Sequence, residues 1–383
     1  MKYYIIAGEA SGDLHASNLM KALSQLDTDA DYRCWGGDLM QAQGGTIVKH
    51  YKDLAFMGFW EVMTHLRIIL KNIKFCQSDI LKYQPDILVL VDYPGFNLRI
   101  AEWAKQHGLK VVYYISPQIW AWKTGRVHKI KRICDHVMPI LPFEKDFYAK
   151  YGYHADFVGH PLLDAIDEDI RQRKEVCRFR EHNHLDERPV IAVLPGSRKQ
   201  EITKILPLML EIVPHYPQYQ FVVSKVKWLP EQLYEKYLRD YPVRTVLSQT
   251  YPLILNATAA IVTSGTATLE TALLGTRQVV CYKTSFLSYQ IAKSVAKDTV
   301  KYISLVNLIM DKPVVTELIQ HDLNANRLKM ELDRILDDEK VKSDMSADYE
   351  ALQTRLGGRG ASSRAAQIVF NCAKNGTSNA VSD

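Results

Sequence analysis

The sequence predicts an α/β protein made of two Rossmann-like domains with a cleft between them. Three observations carry this reading. Short apolar runs alternate with longer amphipathic segments, several of those runs end in Gly, Pro, Asp or Ser, and the rhythm breaks once at a charged stretch and then restarts. A length of 383 residues suits two domains, and an apolar fraction of 47% with 24% charged residues excludes a disordered or fibrous chain.

In the first half the strand-like runs are Tyr3–Ala7, Ile87–Val91, Val111–Ile115, Val137–Leu141 and Phe157–Val158. From Asp164 to Pro189 the composition turns to charge, which reads as a hinge and a helical connection. The pattern then resumes with "VIAVLPGSRKQEI", "QFVVSKV", "RTVLSQT", "AAIVTSGTATLE" and "RQVVCYK". The expected division is residues 1–165, residues 166–345, and C-terminal helices from 346 to 383 that cross back to the first domain and end in a frayed tail. No secretory signal opens the chain, and no apolar stretch reaches the roughly 18 residues of a spanning helix. Six cysteines (Cys34, Cys76, Cys134, Cys177, Cys281 and Cys372) stand apart with no C-x-x-C pair, so neither a disulfide framework nor a metal site is expected. The expectation is a cytoplasmic protein, soluble or peripheral to a membrane.

Ligands of open α/β sheets bind at the carboxyl ends of strands, so the strand-end loops carry the chemistry. In "AAIVTSGTATLE" a strand runs into Ser264, Gly265 and Thr266 and then a helix. Free amides and hydroxyls at a helix start suit an anion, although an ordinary helix cap uses the same residues. Glu270, one turn in, is placed to reach a ribose hydroxyl. In "LPGSR", Arg198 follows a tight turn at a strand end, the place for bidentate contact with a pyrophosphate; a plain surface arginine is the alternative. No Walker A string occurs. The D-x-D strings at Asp27–Asp29 and Asp167–Asp169 lie in polar connections and read as solvated charge, so no metal and no cofactor are expected.

The first half reads as an acceptor site. The strand "DILVLV" ends at Asp92, where partial burial would raise a carboxylate toward the working range of a general base; an Asx-turn is the alternative. The opening loop "GEASGD", Gly8 to Asp13, disfavours phosphate through its carboxylates and suits sugar hydroxyls, with helix capping by Ser11 and Asp13 as the plain alternative. Two stretches suggest a lipid surface. Phe59, Met63, Leu66, Leu70 and Ile73 share one helical face and Arg67, Lys71 and Lys74 another. From Trp103 to Cys134 there are no acidic residues, and Trp120 and Trp122 stand beside Lys123 and Arg126. Core packing of both tryptophans remains open, and no nucleic-acid motif accompanies the charge.

Taken together, "GEASGD", "MGFWEV", "DYPGFN", "YYISPQIWAW", "PFEKDFY", "FVGHPL", "LPGSR" and "SGTATLE", in this order from Tyr3 to Asn307, resemble the lipid-A-disaccharide synthase family, glycosyltransferases of the GT-B type. The resemblance implies inverting, metal-independent transfer from UDP-2,3-diacylglucosamine to 2,3-diacylglucosamine 1-phosphate at the cytoplasmic face of an inner membrane. It matches Asp92 to the family's base, Glu9 and Ser11 to its opening loop, Arg198 and Glu270 to its UDP site, and Asn307 to an asparagine near that site. Gly95 departs from the pattern, since some members carry Asp there; this favours Asp92 as the base. Glu144 and His160 read as cleft or hinge residues, with a structural role equally open to His160. A homodimer is left open. The rival readings are another membrane-associated GT-B enzyme using a UDP-sugar, and a non-catalytic peripheral membrane-binding protein.

Overall fold

The computed structural model describes residues 1–54, 66–120, 124–171, 178–285 and 301–375. The chain divides into two compact units, one of Met1–Ala165 with Leu356–Asp383, the other of Ile166–Arg355.

The first unit holds a six-stranded sheet in the order β3-β2-β1-β4-β5-β6. Its strands are β1 (Lys2–Ala7), β2 (Asp31–Gly36), β3 (Thr46–His50), β4 (Ile87–Val91), β5 (Val111–Tyr114) and β6 (His136–Met138), all pairing in parallel. β4 and β5 are buried at every position, as expected of central parallel strands covered on both faces. β2 and β3 were not legible. In β2, "DYRCWG", Arg33 pairs with Asp79 at 2.6 Å, and Trp35 donates to the Tyr4 hydroxyl at 2.9 Å, so a polar chain runs through what composition alone reads as a loop. Phe157–Val158 is not a strand; Asp156 N donates to the Val137 carbonyl at the sheet's edge instead.

Helix Leu66–Tyr83 sends Ile73, Cys76 and Ile80 into the core, while Leu70 remains on the surface with Ile68 and Phe75. The single apolar face expected for Leu70 and Ile73 is therefore divided. The chain re-enters this unit at Leu356. Helix Ala361–Lys374 packs along helix Ala10–Leu26 and delivers Ala365, Ala366 and Val369 to the core around Tyr3 and Ile5. Asp164 caps it, accepting from Gly360 N at 2.7 Å and Ser362 N at 2.8 Å.

The second unit repeats the plan in the order β12-β11-β10-β7-β8-β9. Its strands are β7 (Val190–Leu194), β8 (Gln220–Lys225), β9 (Val243–Leu247), β10 (Ala257–Thr263), β11 (Arg277–Tyr282) and β12 (Thr316–Ile319). Helix Glu339–Arg355 belongs here: Gln353 donates to the Leu273 carbonyl and Arg355 to those of Ile309 and Met310. Each sheet reverses its strand order once, at β1/β4 in the first unit and at β7/β10 in the second, and crevices for ligands open at such switch points.

Candidate active site

At the β1/β4 switch point Ala7 pairs with Val91, so the loops that follow the two strands start side by side. Asp92 and Tyr93 are both left-handed, with φ of 47° and 49°. Two such residues in succession are costly and persist where surrounding structure enforces them. Here the enforcement is visible: Asn97, fully buried, donates its Nδ2 to the Asp92 carbonyl at 2.7 Å, and the Tyr113 hydroxyl donates to the same oxygen at 2.8 Å. The Tyr93 ring is turned against Gly8, where a Cβ would come within 2.3 Å of it, so only glycine fits. The Asp92 carboxyl is half-buried, and burial first, then the negative charge of Glu9, push its pKa up to about 6, while the Tyr93 amide opposes them. Glu9 and Ser11 are exposed at the start of the first helix.

Asp13 departs from the expectation for this loop. It is buried, and its carboxylate accepts from Gly37 N at 2.8 Å and from Leu39 N and Met40 N at 3.2 Å, anchoring the turn after β2. It neither caps its own helix nor faces a sugar. Glu144 and His160 are likewise buried inside the unit. Glu144 accepts from Leu141 N at 3.0 Å, and burial raises its carboxyl to about 8; burial lowers the His160 ring, and its main-chain N–H donates to Leu356 O at 3.0 Å.

At the β7/β10 switch point the "LPGSR" turn is built on Gly196, at φ +104°, where a Cβ would meet Glu201 Oε2 at 2.3 Å. Glu201 accepts from Ser197 N at 2.8 Å and Arg198 N at 3.1 Å. Two amides of the turn before helix Lys199–Leu210, those of Ser197 and Arg198, are thus occupied by the protein's own carboxylate. What this loop offers an anion is the Arg198 side chain, 76% exposed and 3.5 Å from Glu201. The loop after β10 is open: Gly265 and Thr266 are exposed, a Cβ on Gly265 would meet nothing within 4 Å, and helix Thr266–Leu273 begins there. Ser264 Oγ donates to the Ile303 carbonyl at 3.2 Å. Glu270 is held by Tyr251, whose hydroxyl donates to it at 3.0 Å.

Asn307 lies beneath this site. It is buried, its amide exchanges hydrogen bonds with the main chain of Val315 at 2.8 and 2.9 Å, and it also donates to Glu317 at 2.9 Å. Glu317 in turn accepts from Ile303 N and Ser304 N. With its polar atoms engaged, Asn307 supports the loop that Ser264 touches instead of presenting itself to a ligand.

On the surface expected to meet lipid, Trp120 is half-buried with Phe143 edge-on at 4.9 Å, and Arg126 is half-buried at the start of helix Arg126–Ile133. Phe59, Met63, Trp122 and Lys123 lie outside the described residues. The acid-free run is less positive in space than in sequence, because Lys105 pairs with Asp135 and Lys129 with Glu102. Asn97, Glu201 and Tyr251 were missed in the sequence. Asn97 and Glu201 stand within or just after the quoted motifs, but only their folded neighbours reveal what they hold. Among the described residues no three His, Cys, Asp or Glu side chains gather as a metal site, and no helix is long and apolar enough to cross a membrane.

Two Rossmann-like units in one chain, each with a parallel six-stranded sheet that reverses its strand order at one switch point, are the units of a GT-B fold. Solved structures agree on the fold. A UDP-GlcNAc 2-epimerase from Neisseria meningitidis bound to UDP-GlcNAc superposes with a TM-score of 0.65 at 12% identity, covering 98% of this chain and 100% of that one. An S. aureus MnaA–UDP co-structure gives 0.67 at 13%, covering 95% and 94%.

The lipid-A-disaccharide synthetase family profile matches residues 3–371, and the chain belongs to that family. Lipid-A-disaccharide synthase of Trichlorobacter lovleyi is 37% identical over 374 residues, 96% of each chain. That of Syntrophus aciditrophicus is 37% identical over 380 residues, 97% of each, and that of Coxiella burnetii strain Dugway 5J108-111 is 33% identical over 371 residues. The protein is a disaccharide-forming glycosyltransferase of lipid A biosynthesis.

Proposed function

We propose that the enzyme transfers 2,3-diacylglucosamine from UDP to 2,3-diacylglucosamine 1-phosphate, releasing UDP and the β-1,6-linked disaccharide 1-phosphate. The observation that carries this reading is Asp92, a half-buried carboxyl held in a strained loop at a switch point, with its pKa pushed up to about 6. In the proposed step Asp92 removes the proton of the acceptor's 6-hydroxyl as the oxygen forms a bond to the donor's anomeric carbon. The bond from that carbon to the diphosphate breaks on the opposite side, which inverts the configuration, and UDP leaves with the electron pair. Glu9 keeps Asp92 basic through its charge, and Glu9 and Ser11 offer exposed groups to acceptor hydroxyls.

Arg198 and the helix start at Ser264–Thr266 take the charge that grows on the leaving diphosphate, and Glu270 takes a ribose hydroxyl. Asn307 is assigned a supporting part. Supplying the purified protein with both lipids and following the disaccharide by mass spectrometry tests the reading; absence of the disaccharide and of released UDP overturns it.

Because both substrates are lipids, the first unit is proposed to work at the cytoplasmic face of the inner membrane, with Phe59, Met63, Trp120, Trp122, Lys123 and Arg126 at the contact. The mixed surface of Arg67, Ile68, Leu70, Lys71, Lys74 and Phe75, all exposed on one helix, supports this. Co-sedimentation with anionic vesicles should fall with salt without vanishing, because the Coulomb part is screened and the apolar part is not. Lys123→Glu and Arg126→Glu should lower the bound fraction at low salt; equal binding by all three proteins counts against the assigned surface.

A further inference from the structure

At the second unit's switch point one feature is unclaimed by the steps above. Trp228, in the loop after β8, is 62% exposed, more than any other large apolar side chain among the described residues. It is nevertheless fixed, since its indole N–H donates to the Ser197 carbonyl at 2.9 Å. Ser197 belongs to the turn that presents Arg198 and is itself held by Glu201. The indole is thus tied to the same loop that offers the diphosphate its arginine. Leu247, 48% exposed, ends β9, where it pairs with Lys225 at the end of β8. Two exposed apolar side chains therefore flank the β8/β9 end of the sheet.

Glu270, the side chain proposed for the ribose, is itself held in place. Tyr251, in the helix Thr250–Leu255 that follows β9, holds the Glu270 carboxylate through its hydroxyl at 3.0 Å. A nucleotide with its diphosphate at Arg198 lies beside Ser197, whose carbonyl holds the indole of the loop after β8. There the sheet presents an anchored indole. Planar bases stack on such a ring whatever their hydrogen-bonding pattern.

We propose that Trp228 is the stacking platform for the pyrimidine ring of the UDP donor and sets affinity for the base end of the nucleotide. The inference rests on the proposal that this unit binds UDP. Its chemical content is separate, because Arg198 recognises phosphate and Trp228 recognises a planar ring.

Calorimetric titration of the full chain with UDP and with inorganic pyrophosphate separates the two. Trp228→Ala should weaken UDP binding by about tenfold to a hundredfold and leave pyrophosphate binding unchanged. Trp228→Phe keeps a stacking face but loses the hydrogen bond to Ser197, and should retain most of the UDP affinity. Equal UDP affinity in wild type and Trp228→Ala overturns the platform while leaving the UDP site standing. A parallel loss of pyrophosphate binding, or a fall in Trp228→Phe as large as in Trp228→Ala, overturns stacking in favour of a role in holding the loop. Failure of the wild type to bind UDP overturns both.

Discussion

Asp92 shows how one residue's conformation and charge are set by its neighbours. Its left-handed backbone is pinned by Asn97 and Tyr113, its carboxyl is partly withdrawn from water, and Glu9 adds a second negative charge. Asp92→Asn should therefore cut turnover by about 10²–10⁴ while UDP affinity holds; a near-normal kcat would remove Asp92 from the role of base and leave Glu9 as the next candidate. The pH dependence has a definite sign. A base must be unprotonated, so kcat/KM should rise with pH through a midpoint near 6 and level off above it. Glu9→Gln removes one cause of the raised value, so its midpoint should lie lower; an unmoved midpoint would show that Glu9 does not act on Asp92. At this scale the sequence was informative about residue type and place, since a carboxylate after "DILVLV" stands out. It could not show that Asp13, read as a sugar ligand or a helix cap, has as partners the amides of a turn 24 residues away, or that Asn307, matched to the UDP site, is buried with its amide engaged.

At the scale of the element, strand-end loops were legible where a central apolar run stops at Gly, Ser or Asp. β2, β3 and β12 were not, because "DYRCWG", "TIVKH" and "TELI" carry polar residues that find partners only after folding. The two anion loops also differ in a way that spacing does not reveal: in the loop after β7 Glu201 takes the Ser197 and Arg198 amides, whereas the loop after β10 is open at Gly265 and Thr266. Gly196 is the pivot of the former. A side chain there meets both an unfavourable φ of +104° and the Glu201 carboxylate. Gly196→Ala should push Glu201 off the Ser197 and Arg198 amides, cost roughly 1–3 kcal/mol of stability, and weaken UDP binding by misplacing Arg198. Denaturant midpoints and UDP titration check both effects; unchanged values in both would mean the turn adapts freely.

Over the whole molecule the chain leaves its first unit at Ala165 and returns at Leu356. The return segment is part of that unit's core. Ala365, Ala366, Val369, Cys372 and Ala373 pack among Tyr3, Ile5, Ala16, Leu19 and Met20, and the amides of Gly360 and Ser362 occupy the Asp164 carboxylate. The second unit's core, around Val190, Ala192, Val222 and Val262, includes none of these residues. Removing the segment strips apolar contacts worth about 0.8 kcal/mol per buried methylene and leaves Asp164 without its capping amides. Those losses are large beside the roughly 5–15 kcal/mol that holds a domain folded. A chain ending at Arg355 should therefore keep a folded second unit that binds UDP, while its first unit becomes protease-sensitive and carries no transferase activity. Limited proteolysis followed by mass spectrometry reads this directly, since fragments between residues 166 and 355 should outlast those between 1 and 165. Equal survival of the two would show that the first unit folds without its C-terminal helix and that the returning segment only covers a core already formed.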